Sequence, residues 1–474
     1  MFARTAEWGR LEHFHDGQRP GSRLAVVYGR RRQGKTTLLE AFTQAAGGFY
    51  WQALEQPSAQ NLREFSQAWN AHGGVSDGPT FPTWSSAIRA LFEPSTPPRL
   101  VVLDEFGYLL AAAPEVPSLI QAKLTPGARR TGSTQLVLCG SAFSQMKGIL
   151  SGTSALRGRA DLELVIGPFD YRTAAQYWTL TANVDAAFQI HALMGGTPAH
   201  LALAGSPPRR GNVEQWMVEH LLDPTSPLFR EGRIVVTEDP ALSDRALYWG
   251  LLSALAEGHR RKIDIGRALG RPVSSLAFPL KVLLRSGWAE EYPDPFHRSR
   301  STMVLTEPII RAHRLIIEPE ERRLVRGDAL RVVRDTRQIV ARQIHGPHLE
   351  WMAAEWAMRF ADEASLGGSP RLVGPGVLQY RGSQHQLDLV AVERGSRGGD
   401  QIHAIGEAKA GKTAVGVAEL ARLDDLAGKL GDRAATEVKR LLVARGGFTA
   451  ELERLAARRG DVELIGLDRL YDGR

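Results

Sequence analysis

The stretch Gly29-Arg30-Arg31-Arg32-Gln33-Gly34-Lys35-Thr36-Thr37 constrains the chain more than any other. Its two glycines enclose four residues, and Lys-Thr follows the second. Leu24-Ala-Val-Val-Tyr28 before it is apolar and strand-prone, and Leu38-Leu-Glu-Ala-Phe42 after it favours helix. Strand, glycine-bounded loop and helix in this order make a P-loop. Its physics is anion capture. Glycine lets the loop fold back, so that successive N–H groups point at phosphate oxygens. The next helix opens with unsatisfied donors and the positive end of its dipole. Lys35 reaches the β- and γ-phosphates, and the Thr36 hydroxyl can ligate Mg²⁺. Positions 29–37 are therefore expected to hold ATP.

A second motif supports the first. Arg99-Leu-Val-Val-Leu103-Asp104-Glu105 is an apolar run ending in two acids, the pattern of a buried parallel strand with carboxylates at its C-terminal edge. Ligands of open α/β sheets bind at that edge. Asp104 is expected to help Thr36 hold Mg²⁺, and Glu105 to act as general base on the attacking water. Between the motifs lie a strand over 48–53 and helices over 59–71 and 83–92, closed by Pro94, Pro97 and Pro98. Gln135-Leu-Val-Leu-Cys139-Gly-Ser141 is another buried strand, and Ser141 is either a γ-phosphate sensor or a turn or N-cap residue. Ser154-Ala-Leu-Arg157-Gly-Arg159 precedes a strand over 162–166, where an arginine can neutralise transition-state charge; composition alone favours a solvated basic loop. Helical patterns over 171–180, 185–193 and 212–222, broken at Gly195-Gly196-Thr197-Pro198, form a lid.

These motifs, with Leu-Asp-Glu-Phe-Gly-Tyr-Leu (103–109), occur in one order. In that order residues 1–230 resemble the archaeal-type ATPases, relatives of the AAA+ and STAND ATPases. The resemblance implies a sensor role for Ser141 and a finger role for Arg159, acting in trans if the chain forms a homo-oligomer. Arg157 stands where the family pattern has an aromatic residue.

Lysine is scarce, 9 against 50 arginines, and Lys35 and Lys409 both fall in motifs. Cys139 is the sole cysteine, so neither an intrachain disulfide nor a cysteine zinc site is expected. The 13 histidines are scattered and suggest no zinc. No apolar run is long enough to span a bilayer, and Met1–Glu7 lacks the apolar core of a signal peptide. A cytoplasmic protein without membrane contact is expected.

The net charge is +7, and residues 245–318 carry 12 Lys/Arg against 7 Asp/Glu. Helices over 246–257, 263–269 and 274–285, then strands over 288–292 and 302–305, read as a winged helix-turn-helix. Its recognition helix is 274–285, with Arg298 and Arg300 on the wing for DNA phosphates. Pro279 interrupts that helix, and Lys281 and Arg285 are its only cations; packing or protein contact is the alternative use. Residues 319–342 read as a charged linker helix beginning at Pro319.

The C-terminal part begins with a helix over 348–361 bearing Glu350 and Glu355. Gln386-Leu-Asp388-Leu-Val places an acid inside an apolar strand, where a charge is costly unless paired or metal-bound. Ile405-Gly-Glu407-Ala-Lys409 follows after a Gly/Ser-rich hairpin over 393–400, and strand alternation puts Glu407 and Lys409 on one face. Helices over 417–430 and 449–459 and strands over 439–444 and 461–467 complete the unit. Asp388 with Glu407-x-Lys409 matches the PD-(D/E)XK nuclease pattern. Residues 343–474 thus resemble the restriction-endonuclease fold and the nuclease-like domain fused to archaeal-type ATPases. Asp388, Glu407 and a helix acid, Glu355 before Glu350, are the expected Mg²⁺ ligands, with Lys409 assisting the water or the anion.

The expected protein is α/β: a P-loop NTPase parallel sheet (1–170), a helical lid (171–240), a winged helix-turn-helix (241–318), a linker helix (319–342) and a restriction-endonuclease-like α/β domain (343–474). Its expected function is ATP hydrolysis coupled to DNA binding and Mg²⁺-dependent DNA cleavage. The alternative is a STAND-like, ATP-switched signalling or DNA-binding regulator with a non-catalytic nuclease-like domain.

Overall fold

The computed structural model describes residues 2–17, 21–75, 78, 80–93, 99–141, 146, 148–152, 154–239, 242–395 and 399–473, with backbone alone for 129–131. The Pro94, Pro97 and Pro98 break, the residues after Ser141 and the centre of the 393–400 hairpin lie outside them.

Five strands form the first sheet: β1 (Arg23–Tyr28), β2 (Phe49–Gln52), β3 (Leu100–Asp104), β4 (Gln135–Gly140) and β5 (Leu162–Val165). Their order is β2-β3-β4-β1-β5, and every pairing is parallel. All residues of β1, β3 and β4 are buried, which is why they read as unbroken apolar runs. Alternation sends Leu24 and Val26 into one core with Val101, Leu103 and Leu136. It sends Ala25 and Val27 into the other with Leu38, Leu39 and Phe42 of helix Lys35–Ala45. The sheet is thus covered on both faces, as in P-loop NTPases, and the C-terminal ends of β3, β4 and β1 lie side by side along one edge.

A second core is continuous from Phe169 to Ile344. It joins the lid helices, the helices Arg245–Ala256, Lys262–Ala268 and Val273–Arg285, and the antiparallel hairpin of β6 (Ala289–Pro293) and β7 (Ser301–Leu305). The 319–342 stretch is not one linker helix. It breaks into Glu318–Val325, Ala329–Asp335 and Arg337–Ile339, then a π-helical turn Val340–His345. Leu324, Val332, Val333 and Ile344 sink into the same core, so apolar packing overrides the high local charge.

The C-terminal sheet comprises β8 (Leu372–Tyr380), β9 (Ser383–Glu393), β10 (Gln401–Lys409), β11 (Ala434–Ala444) and β12 (Val462–Gly466), in the order β12-β11-β10-β9-β8. Strands β8, β9 and β10 pair antiparallel, and β10, β11 and β12 parallel. Helix Gly346–Arg359 covers one face. Helices Val417–Gly428 and Ala450–Ala456 cover the other. Among the described residues no helix is long and apolar enough to cross a membrane.

Candidate functional site

The P-loop leaves β1 with Gly29 pressed against β5. A Cβ on Gly29 would lie 2.1 Å from the Ile166 carbonyl oxygen. Gly34 turns left-handed at φ 81° and opens helix Lys35–Ala45. Thr36 Oγ1 donates to Asp104 Oδ2 at 2.9 Å, so hydroxyl and carboxylate meet where the sequence places a Mg²⁺ site. Tyr50 donates to the same oxygen at 2.8 Å. Asp104 Oδ1 accepts the Glu105 N–H at 2.7 Å. Glu105 itself sits at φ 47°, ψ 42°, an unusual left-handed position for a carboxylate residue. This bend aims its side chain across the sheet edge, where Ser141 Oγ donates to Oε1 at 2.9 Å. Lys35 is buried, which pulls its ammonium below the ordinary lysine value, and Nζ donates to the Arg30 carbonyl at 2.9 Å. Burial drives the adjacent Cys139 thiol well up, away from thiolate chemistry. A cleft of about 390 Å³ is lined by Gly34, Lys35, Thr36, Thr37, Glu105 and Ser141, with lid residues opposite.

Of the four residues between the P-loop glycines, Arg30, Arg32 and Gln33 reach the lid and the hairpin base, while Arg31 reaches Tyr108, and Arg31 and Arg32 also line the cleft. Arg30 pairs with Glu307 at 2.7 Å, buried, with its guanidinium carbon 4.5 Å from the Trp288 ring centre. Arg31 donates to the Tyr108 hydroxyl at 2.6 Å. Arg32 pairs with Glu231 and, at 3.4 Å, with Glu238. Gln33 donates to Thr197 Oγ1 at 3.2 Å. The Gly-Gly-Thr-Pro break is therefore a contact to the P-loop. Gly196 is required there, because a Cβ would lie 1.8 Å from the Phe169 oxygen. Buried His200 stands 3.5 Å from Glu231 and 4.0 Å from Glu307, and burial lowers its pKa. Arg159 is not brought to the cleft; its Nη1 donates to the Leu124 carbonyl at 3.3 Å, and Arg157 donates to the Gly152 carbonyl at 3.0 Å.

The second constellation lies where β9 meets β10. Asp388 Oδ2 accepts the Ala408 N–H at 3.0 Å. Burial, then the nearby Glu350 and Glu407 carboxylates, push its pKa up to about 7. Glu407 is held by Lys409 at 2.9 Å and by Arg422, from helix Val417–Gly428, at 2.6 Å. Burial pulls the Lys409 ammonium down, but its bond and charge contact with Glu407 hold it above the ordinary value.

The helix acid facing this centre is Glu350, which the sequence ranked second. Glu355 instead pairs with Arg359 at 2.5 Å. The two acids are five residues apart, roughly 140° around a helix, so they cannot share a face. Glu350 is paired in turn with Arg260 at 2.7 Å. Among the described residues no group of three or more acids, histidines or cysteines stands arranged to hold a metal.

The hairpin is docked on this domain. Phe296 is buried against Gly376 of β8, where a Cβ would meet its ring at 2.8 Å. Arg298, expected on DNA phosphates, instead makes a two-pronged bond to Asp400 at 2.6 and 3.2 Å. On helix Val273–Arg285, Phe278 is 72% exposed. Nothing in its local sequence marks it as core or surface.

No family model matches the chain. An uncharacterized protein of Methanocaldococcus jannaschii is 27% identical over 177 residues, which are 37% of this chain and 38% of that protein. The chain thus spans well under half the length of the curated relative it matches. The Walker-type ATPase of Pyrococcus abyssi is similar at 18% identity and TM-score 0.45, over 66% of this chain and 96% of that one. The ORC2 protein of Aeropyrum pernix is similar at 15% identity and TM-score 0.40, over 71% and 96%.

Proposed function

We propose that the chain is an ATP-hydrolysing, Mg²⁺-dependent P-loop ATPase whose nucleotide state governs a DNA-directed, nuclease-like C-terminal domain. The observation that carries the reading is the convergence of Lys35, the Thr36–Asp104 pair and the Glu105–Ser141 pair on one cleft. Main-chain N–H groups of 31–36 would cradle the phosphates, with the Arg31 and Arg32 side chains on the wall of the same cleft. Thr36 and Asp104 would hold Mg²⁺, and their 2.9 Å contact fits a shared cation. The metal supplies charge neutralisation when bound. Glu105 orients and deprotonates water, and Ser141 positions Glu105. Arg159, away from its own cleft, serves as a finger for a neighbouring copy in a homo-oligomer.

In the C-terminal domain Asp388, Glu407 and Glu350 are the residues that would hold Mg²⁺. Carboxylate oxygens are the donors a hard cation takes, and here the three would bind one only on leaving their pairs, Glu350 with Arg260 and Glu407 with Lys409 and Arg422. The metal supplies an activated water. Lys409 holds the attacking water or the phosphate oxyanion, and the helix-turn-helix face with Lys281 and Arg285 engages the DNA backbone.

Phosphate release from ATP, and plasmid and single-strand cleavage with Mg²⁺ or Mn²⁺, test the reading in wild type, Lys35→Ala and Asp388→Ala. ATP turnover lost in Lys35→Ala and DNA cleavage lost in Asp388→Ala are expected. Absence of ATP turnover in the wild type sinks the first half, and absence of cleavage the second. A second reading, an ATP-switched regulator with a non-catalytic domain, is favoured by the pairing of Glu407 with Lys409 and Arg422. It requires Asp388→Ala to leave function intact.

A further inference from the structure

We infer that Arg260 is a latch on the carboxylate centre and that nucleotide at the P-loop withdraws it. The inference rests on reading Asp388, Glu350 and Glu407 as a nuclease-type centre.

The latch is a guanidinium in the place a cation would take. Arg260 precedes helix Lys262–Ala268, outside the C-terminal domain, yet its Nη2 lies 2.7 Å from Glu350 Oε2. Arg260, Tyr292, Glu350 and Asp388 enclose a cavity of only about 20 Å³. That holds about one water, not a hydrated cation with a phosphodiester. Glu350 and Asp388 line that cavity together, and like charges so placed repel one another. Arg260 supplies one positive charge to that cluster. Mg²⁺ would supply two, and both cannot occupy the same ground.

A continuous path joins this guanidinium to the P-loop. Lys35 Nζ donates to the Arg30 carbonyl at 2.9 Å. The Arg30 side chain bonds Glu307 at 2.7 Å and covers Trp288. Trp288 immediately precedes β6, and Glu307 stands two residues beyond β7, so Arg30 grips both ends of the hairpin. Thr306 N–H donates to the Trp288 carbonyl at 3.2 Å and closes that base. In mid-strand, Met303 N–H donates to the Arg260 carbonyl at 2.7 Å. The hairpin therefore holds Arg260 by its main chain and the P-loop by its base.

A phosphate at the P-loop claims the Lys35 ammonium, its strongest available partner. The Arg30 carbonyl then loses its donor, and the Arg30–Glu307 grip shifts with it. The hairpin follows, carrying Arg260 away from Glu350 and lifting Tyr292, which packs on Gly374, and Phe296, which packs on Gly376, from β8. Buried pairs of this kind have discrete arrangements rather than gradual ones, which suits a switch.

Backbone hydrogen exchange on the full-length chain tests the latch, with AMPPNP as nucleotide and its occupancy confirmed by protection over 26–45. The expected result is exchange at least about threefold faster over 347–355 and 372–380 in wild type. Arg260→Ala should show fast exchange with or without AMPPNP, and Arg260→Lys should restore the response. Unchanged exchange in AMPPNP-bound wild type overturns the latch, even if Asp388-dependent DNA cleavage is found. Because that comparison uses native sequence, a misfolded Arg260→Ala does not remove the test.

Mn²⁺ binding, counted by electron paramagnetic resonance without nucleotide, separates the latch from the reading beneath it. Arg260→Ala should gain one Mn²⁺ over wild type, and Arg260→Ala/Asp388→Asn should lose it. AMPPNP-driven exchange with no such Mn²⁺ upholds the latch and removes the nuclease reading.

Discussion

Ser141 Oγ donates to Glu105 Oε1 across 2.9 Å, tying the end of β4 to the residue that follows β3. Glu105 reaches that position through a left-handed backbone turn, which costs on the order of 1 kcal/mol and needs surrounding contacts to persist. The pair therefore sets where the carboxylate points. Ser141→Ala is expected to lower kcat for ATP hydrolysis about tenfold with little change in nucleotide affinity. Glu105→Gln is expected to lower it by about 10² or more, the usual range for a lost general base. Steady-state phosphate release and equilibrium nucleotide binding check both. Equal losses in affinity and turnover for Ser141→Ala would assign the serine to the phosphate instead.

Arg30 and Glu307 form a buried pair 277 residues apart in sequence. Removing one partner strands a charge. Arg30→Ala and Glu307→Ala should each destabilise the chain by about 3 kcal/mol or more, while the double variant loses far less than their sum. Chemical denaturation followed by a double-mutant cycle gives the coupling. Additive losses would mean that the two ends of this contact are independently satisfied.

Gly29 and Gly196 fail as alanines for the same reason. In each case the added methyl meets a carbonyl oxygen of the main chain, Ile166 or Phe169, which cannot turn aside. Gly29→Ala should displace the P-loop from β5 and weaken nucleotide binding at least about tenfold. Gly196→Ala should part the lid from the P-loop. Gly127→Ala, where a Cβ meets nothing within 4 Å, is the control. Calorimetric titration with an ATP analogue distinguishes them.

The meeting of Thr36 with Asp104, and of Glu407 with Lys409, was readable because each residue sits in a local pattern: a strand end, a loop between glycines, an alternation of period two. The choice between Glu350 and Glu355 was not. Both lie on one amphipathic helix, and only the strands and Arg260 packed against it decide which acid faces Asp388. The same holds for Tyr50, whose hydroxyl reaches Asp104 because β2 and β3 are neighbours. Arg30, Arg31 and Arg32 read as phosphate contacts from position alone. Their carboxylate partners, Glu307, Glu231 and Glu238, come from segments with no motif of their own. The wing arginine Arg298 likewise found Asp400, since long-range charge pairing leaves no periodic trace.

Asp388 gives one pH-dependent contribution in the C-terminal domain, and buried His345 and His348, whose pKa values burial lowers, oppose it with stability that is lost as pH falls below about 6.5. Burial first, then Glu350 and Glu407, raise the Asp388 pKa to about 7, whereas the unfolded chain titrates near the ordinary 3.8. Between these values the folded protein holds a proton that the unfolded chain has released. Stability is therefore fully present below about pH 4 from this group and is lost as pH rises to about 7. The loss has an upper bound of about 4 kcal/mol, from roughly 1.4 kcal/mol per pKa unit. Asp388→Asn keeps an acceptor for the Ala408 N–H and cannot ionise. It should remove the fall that Asp388 contributes between pH 4 and 7, leaving the rise from the buried histidines, and be the more stable protein at pH 8. Glu350→Gln should move the wild-type midpoint down, since it removes the larger of the two carboxylate contributions. Urea unfolding across pH 4–8, followed by the near-ultraviolet signal of the chain's tryptophans, reads both. A profile unchanged by Asp388→Asn would place the Asp388 carboxylate in water rather than in the closed centre beneath Arg260.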